Sequence, residues 1–346
     1  MRKIILLSLS LSLYFAGHAI VLGNVYNTLT VDETVPGTLS TLASDYLTTV
    51  TNLTLTGTID ARDFVTMRDG MPLLAVVDLS GVTIAAYAGT EGTSGTTSIS
   101  YPANTLPDNS FYFKSSNTCK SSITSLILPS NLTAIGSFAI ACDNLTALTI
   151  PSRVTTIGKA AFLASSSLTS ITIPASVVTV GDQAFIYCLG LTTLTIVSSA
   201  TTFNVYAFYF CNALKTINCL DVKPPTIAYG SFLGITTVTD VFVPTNAAVS
   251  AYKANTIWYG YFPGNIIKTN VATSQAEYAG QRTTVFATPQ GIVVDGTRAG
   301  EKVSLYNLQG VELQHIQSTG VRLVLPATRT GIYLVKTASG TVKVIL

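Results

Sequence analysis

A repeat constrains this chain more than any other feature. Five consecutive segments superpose, starting at Ser121, Asn144, Ser167, Gly190 and Ala213. Their first apolar position runs Ile123, Leu145, Leu168, Leu191, Leu214 and then Val238, at spacings of 22, 23, 23, 23 and 24. A second column, Ile140, Phe162, Phe185, Phe208 and Phe232, keeps the same phase at 22, 23, 23 and 24. Two columns in one phase specify an array whose units cannot bury their apolar faces alone and must stack.

Each unit has a physical reading. It opens on period-2 alternation, as in a strand with one buried face. Pro129, Pro151 and Pro174 end that strand, since proline has no N–H for the next ladder. The following I-G-x-x-A-F stretch turns the chain and returns a large side chain to the interior. Weaker copies precede the array at Val50-Leu53-Leu55 and Leu74-Val77-Leu79, while Leu106 and Phe111 match the Ile157 and Phe162 columns. The predicted fold is mainly β: a solenoid of about eight rungs with parallel strands and short helical or irregular returns. At about 4.8 Å per strand it spans roughly 34 Å.

The organisation around the array follows. Residues 1–19 read as a signal peptide: Arg2 and Lys3, an apolar run from Ile4 to Phe15, then Gly17 and Ala19 before a cut. No later segment is apolar for 18 residues, so no membrane-spanning helix is expected after cleavage. Residues 20–49 read as an amino-terminal cap and 50–266 as the repeat domain, with an insertion at 85–104. Asp60, Asp63 and Gly70 mark the cap, third position and stop of a helix. Thr245 to Asn255 reads as a closing helix, with Trp258, Tyr259 and Phe262 covering the core. Residues 267–282 read as a linker, and 283–346, with short alternating strands and Gly turns, as a small antiparallel β-sandwich.

The I-P-x-x-V-x-x-I-G-x-x-A-F pattern at 151–162 and 174–185 resembles the BspA-type leucine-rich repeat family of bacterial surface proteins. The likeness covers about 50–262 and implies secretion or surface display and adhesion to host or matrix proteins. The chain departs from the pattern at Val197, Asn204 and Lys223-Pro224-Pro225. The V-S-L-Y-N-L-Q-G run at 303–310 and the G-I-Y-L-V-K run at 331–336 resemble the carboxy-terminal sorting domains of Por (type IX) secretion, which implies export by that route. Thr288-Pro289 stands where those domains carry Asn-Pro.

Charge and side-chain chemistry narrow the function. Charged residues make up 10% of the chain, and Lys+Arg is 19 against 17 Asp+Glu. Without Arg2 and Lys3 the balance is 17 to 17, with no cation excess for nucleic acid. His18 and His315 are the two histidines, so no His-rich metal site is expected after cleavage. His315 is read as an exposed strand residue. The densest acidic group, Asp60, Asp63, Asp69, Asp78 and Glu91, has helix-end and solvated explanations beside Arg62 and Arg68. No cofactor and no catalytic set are expected, so the reading is non-enzymatic. An acidic pair meeting in a pocket between the 57–70 helix and the insertion would revive a glycoside-active enzyme.

Two binding candidates remain. Thr149, Thr172, Thr195 and Asn218 form an outward column on the strands, a face of hydrogen-bonding groups for a protein or a glycan, or simply the residues a pleated surface favours. Tyr87 and Tyr101 flank the insertion and either stack on a ligand or anchor the loop. Cys188 and Cys211 share a column at disulfide range between adjacent rungs; the alternative is two small buried hydrophobes. The functional expectation is a secreted or surface-displayed protein that binds host or extracellular-matrix protein, with glycan binding as the alternative.

Overall fold

The computed structural model describes residues 27–95 and 98–269 throughout, the backbone of two strands before residue 24, and the strands and some joining residues between 284 and 345. Most of the expected signal peptide and the segment 270–283 lie outside the described residues. The chain divides into two units, Met1–Asn270 and Val271–Leu346.

The first unit is the predicted stack. Thr28–Glu33, Asn52–Ile59, Val76–Ile84 and Ser125–Ile127 pair in parallel, rung on rung. Ser170–Ile173, Thr193–Ile196, Thr216–Cys219, Asp240–Val243 and Ile267–Thr269 continue the pattern as a second parallel sheet. Between the two, residues 145–150 form no ladder, although Leu145 and Ile150 remain buried in the common core. The stack is longer than the sequence periodicity indicates. Thr28–Glu33 lies within the stretch expected as a cap, and Ile267–Thr269 occupies the start of the expected linker. Each is a rung in its own right.

The returns form a narrower third sheet of two-residue parallel strands. Leu106, Ile135, Ile157, Val180, Phe203 and Ile227 follow one another across it. Beside it runs the aromatic row. Phe162 stacks on Phe185 at 4.6 Å, Phe185 on Phe208 at 4.9 Å and Phe208 on Phe232 at 5.1 Å, with interplanar angles of 10°, 4° and 9°. All four rings are buried. The departures at Val197, Asn204 and 223–225 leave the stack unbroken, because the paired columns continue through them.

The glycine column has a steric cause. A Cβ at Gly158 would lie 2.7 Å from the carbonyl carbon of Gly136, and one at Gly181 would lie 2.8 Å from that of Gly158. The backbones approach too closely there for a side chain. The returns also carry two left-handed columns. Phe138, Ala160, Gln183 and Tyr206 hold φ of 49–60°, and so do Ala164, Tyr187 and Phe210. Their backbone hydrogen bonds run to the next rung: Ala160 N donates to Asp182 O at 2.9 Å, and Ala164 N to Ile186 O at 2.9 Å. Inter-rung bonding thus satisfies backbone that forms neither regular helix nor long strand.

Helices close the carboxy-terminal end, and at the amino-terminal end the strand His18–Gly23 pairs antiparallel with Thr28–Glu33. Thr245 caps Asn246–Ala254, accepting from Ala248 N at 3.1 Å. Trp258 is buried, packs near Phe232 and donates from Nε1 to Pro225 O at 2.8 Å. After the strand Asn52–Ile59, Asp60 and Asp63 form a reciprocal capping box on the helix Ala61–Val65, which runs on as a π-helical turn, Thr66–Gly70.

The second unit contains a three-stranded and a four-stranded antiparallel sheet. Ile292, Val294, Val303, Leu305, Leu325 and Val335 from the two sheets share one buried core.

Candidate binding faces

The outward strand column is assembled as expected over part of its length. Thr172, Thr195, Asn218 and Phe242 are direct cross-strand neighbours, followed by Lys268. Thr172 is exposed and Thr195 and Asn218 are half-buried. Asn218 Nδ2 donates to Thr195 Oγ1 at 3.4 Å. Thr149 is exposed but sits in the segment without a ladder, so it is not hydrogen-bonded into this row. On the amino-terminal sheet the same column reads Thr30, Thr54, Asp78 and Ile127. The face is therefore mostly short, uncharged side chains on a rigid frame, ending at the ion pair of Lys268 with Asp240.

The insertion is anchored by the tyrosines expected to bind. Tyr87–Gly89 and Ile99–Tyr101 pair as an antiparallel hairpin, and the Tyr87 and Tyr101 rings stack on each other at 6.1 Å. Tyr101 is only 5% exposed, and its hydroxyl accepts from Ser94 N at 2.8 Å. The Arg62 guanidinium lies 4.9 Å from the Tyr87 ring centre. Burial and pairing engage the Tyr101 ring, which holds the loop.

Two cations tie the insertion and the following repeat to the π-helical turn. Arg68 Nη1 donates to Thr93 O at 2.9 Å and Asn109 O at 3.0 Å, while its other nitrogens bind Asp69. Lys120 is buried, and its Nζ donates to Arg68 O at 3.0 Å and Met71 O at 2.9 Å. Burial lowers its pKa. A cation at these carbonyls satisfies helix-terminal acceptors that would otherwise be orphaned.

The acidic residues do not form a catalytic pair in a cleft. Asp63 Oδ2 accepts from Gly37 N and Asp60 N at 2.8 Å each, and Oδ1 from Leu39 N at 3.2 Å. Its closest acidic partner is Glu33, which the repeat pattern does not flag. Both side chains are fully buried. Burial, and then the neighbouring Asp63 charge, push Glu33 up to about 8. Its Oε1 accepts from Thr38 N at 2.8 Å. A sealed carboxyl pair engaged by backbone N–H groups organises the first turn and offers no substrate access. Asp78 accepts from Ser80 N at 2.8 Å. His315 is exposed and pairs with Glu312 at 2.7 Å.

The cysteines form no disulfide in the structure. Instead Cys188 Sγ donates to Phe162 O at 3.1 Å and Cys211 Sγ to Phe185 O at 3.1 Å. Ser165 Oγ makes the equivalent bond to Ile140 O at 2.9 Å. The column selects a small donor that satisfies the carbonyl beside the aromatic row. Burial raises the Cys188 thiol pKa well above its usual value. Among the described residues no cluster of metal-ligating side chains occurs, and no helix is long and apolar enough to cross a membrane.

A family model for the BspA type leucine rich repeat region matches in six copies over residues 91–215 and 134–254. Among solved structures, the chain is similar to a leucine-rich repeat protein from Bacteroides ovatus, at 14% identity and a TM-score of 0.34 over 67% of this chain and 70% of that one. It is also similar to a leucine rich cell surface protein from Faecalibacterium prausnitzii, at 15% identity and a TM-score of 0.25 over 70% of this chain and 97% of that one. No curated protein matches. The matched BspA type leucine rich repeat region, residues 91–254, falls on the stacked rungs of the first unit.

Proposed function

We propose that this is a non-enzymatic protein displayed on the cell surface or secreted, which adheres to a host or extracellular-matrix protein through the outward face of its carboxy-terminal parallel sheet. The carrying observation is the continuous row Thr172, Thr195, Asn218 and Phe242, one residue per rung on a hydrogen-bonded frame. Such a row offers regularly spaced donors and acceptors plus one aromatic edge, with little loop ordering needed on binding. The sequence of residues 1–19 supports export, and the likeness of 283–346 to Por sorting domains supports passage to the surface.

The test is surface plasmon resonance of the full chain over immobilised fibronectin, laminin and collagen. Binding to at least one is expected, with at least tenfold weakening in the Thr172→Glu/Thr195→Glu double variant. Absence of binding to all three, or binding indifferent to that substitution, overturns the reading. Deleting residues 85–104 is expected to leave binding intact, since the tyrosines there serve as anchors.

A further inference from the structure

A second surface lies on the return side of the repeats, away from the strand row. Lys159, Asp182, Gln183, Val205 and Tyr206 line a shallow groove there, drawn from three successive rungs. Three of these five side chains carry a charge or an amide. Among the described residues, none of Lys159, Asp182 and Gln183 makes a side-chain hydrogen bond or ion pair. Lys159 and Asp182 occupy equivalent positions on adjacent rungs, with opposite charges left unjoined. The backbone beneath them is fixed: Gln183 N donates to Val205 O at 2.9 Å and Ala160 N to Asp182 O at 2.9 Å.

Tyr206 is placed by its neighbour. A Cβ at Gly230 would lie 2.4 Å from Tyr206 Cε1, and Gly230 holds φ +73°. Glycine at that point lets the ring settle against the next rung. Further rings continue the surface. Tyr209 is 5.1 Å from Tyr206, and Tyr229, 74% exposed, is 6.2 Å away. Tyr187 stacks on Phe210 at 5.6 Å. The groove thus sets one aromatic ring, Tyr206, beside unpaired charged and amide groups.

A pyranose ring has the matching surface, an apolar C–H face bordered by hydroxyls. We propose that this groove binds carbohydrate, with a sugar ring packed on Tyr206 and its hydroxyls bonded to Asp182, Gln183 and Lys159. Apolar contact supplies area, and a few polar groups fix orientation. A protein hot spot favours an aromatic anchor sealed from water by its neighbours. Here free charged and amide groups border the ring instead, which favours a glycan. Successive rungs are about 4.8 Å apart, a spacing comparable to the advance of one sugar along an extended chain. The site is independent of the strand-face reading and stands or falls separately.

The test is saturation-transfer NMR on the full chain with the methyl glycosides of glucose, galactose, mannose and N-acetylglucosamine and their β-linked trisaccharides. Transfer from the protein to the ring C–H protons of at least one sugar is expected. Tyr206→Gly, which suits the left-handed backbone, and Gln183→Gly are each expected to weaken it at least tenfold, whereas Tyr206→Phe retains it. Thermal melts establish that the variants fold, and Thr172→Glu/Thr195→Glu serves as a folded control that leaves sugar binding unchanged. No transfer from any sugar, or transfer that survives Tyr206→Gly in folded protein, overturns the proposal. So does loss of matrix-protein capture in Tyr206→Gly without any sugar signal, which assigns the groove to a protein.

Discussion

The repeats from 144 to 235 and the amino-terminal block from 27 to 95 belong to one stack but are held in different ways. In the repeats, each rung is stabilised by a near-copy of itself. Phenylalanine lies on phenylalanine, and Ser165, Cys188 and Cys211 make the same bond one rung apart. In the amino-terminal block the bonds are individual. Glu33 meets Asp63, Arg62 bridges Asp60 and Pro36 O, and Arg68 reaches the insertion. Repetition places interactions periodically and makes them apolar or backbone-based. Where the period fails, dedicated polar side chains hold the chain, and these respond to pH.

The largest expected effect lies in the repeats. Phe185→Ala removes a ring packed between two others and is expected to cost about 3–5 kcal/mol in denaturant unfolding. A cost below about 1 kcal/mol would break the claim that the aromatic row carries the core.

The next expected effect lies in the amino-terminal block. The folded pKa of Glu33 is raised from 4.5 to about 8. The folded state therefore keeps a proton that the unfolded chain has released. The contribution is fully present below about pH 4.5, declines as pH rises toward 8, and is level above. Asp63 is shifted in the same direction by burial. Hydrogen exchange at 28–59 is expected to accelerate from pH 5 to pH 8 beyond the intrinsic rate change, relative to 168–219. Glu33→Gln should remove most of that excess. Equal pH response of the two regions would dissolve the comparison.

A smaller effect, about 1–3 kcal/mol, is expected for Lys120→Met, which leaves the carbonyls of Arg68 and Met71 buried without their donor. It should loosen exchange in 66–95 more than in the aromatic row. Smaller still, Ala164→Gly relieves a left-handed alanine at φ 53°. A gain of up to about 1 kcal/mol in unfolding free energy is expected. A loss there would show that the methyl group matters more than the backbone angle.

What was readable in the sequence follows the same division. The Leu/Ile and Phe columns gave the rungs, their order and the buried row, because apolar periodicity is local and recurs. The Asp60–Asp63 box and the closing helix near Thr245 were readable from local sequence. The Glu33–Asp63 pair was not, since 30 residues separate its members and neither repeats. The left-handed columns were hidden as well: glycine marks such a position at Gly230, but Gln183 and Tyr206 occupy it elsewhere. Thr28–Glu33 and Ile267–Thr269 were missed as rungs because each lacks a complete repeat beyond it. Tyr87 and Tyr101 were correctly seen as a pair flanking the insertion. The burial of Tyr101 and the half-burial of Tyr87 are tertiary properties.

The stack itself is most directly tested by cross-linking in a background with the five native cysteines changed to serine. Thr195 is the cross-strand partner of Thr172, and Asn218 is that of Thr195. Oxidation is expected to link Thr172→Cys/Thr195→Cys and Thr195→Cys/Asn218→Cys within one chain, and to leave Thr172→Cys/Asn218→Cys, two rungs apart, unlinked. Efficient linking of the two-rung pair with failure of both adjacent pairs would contradict the account.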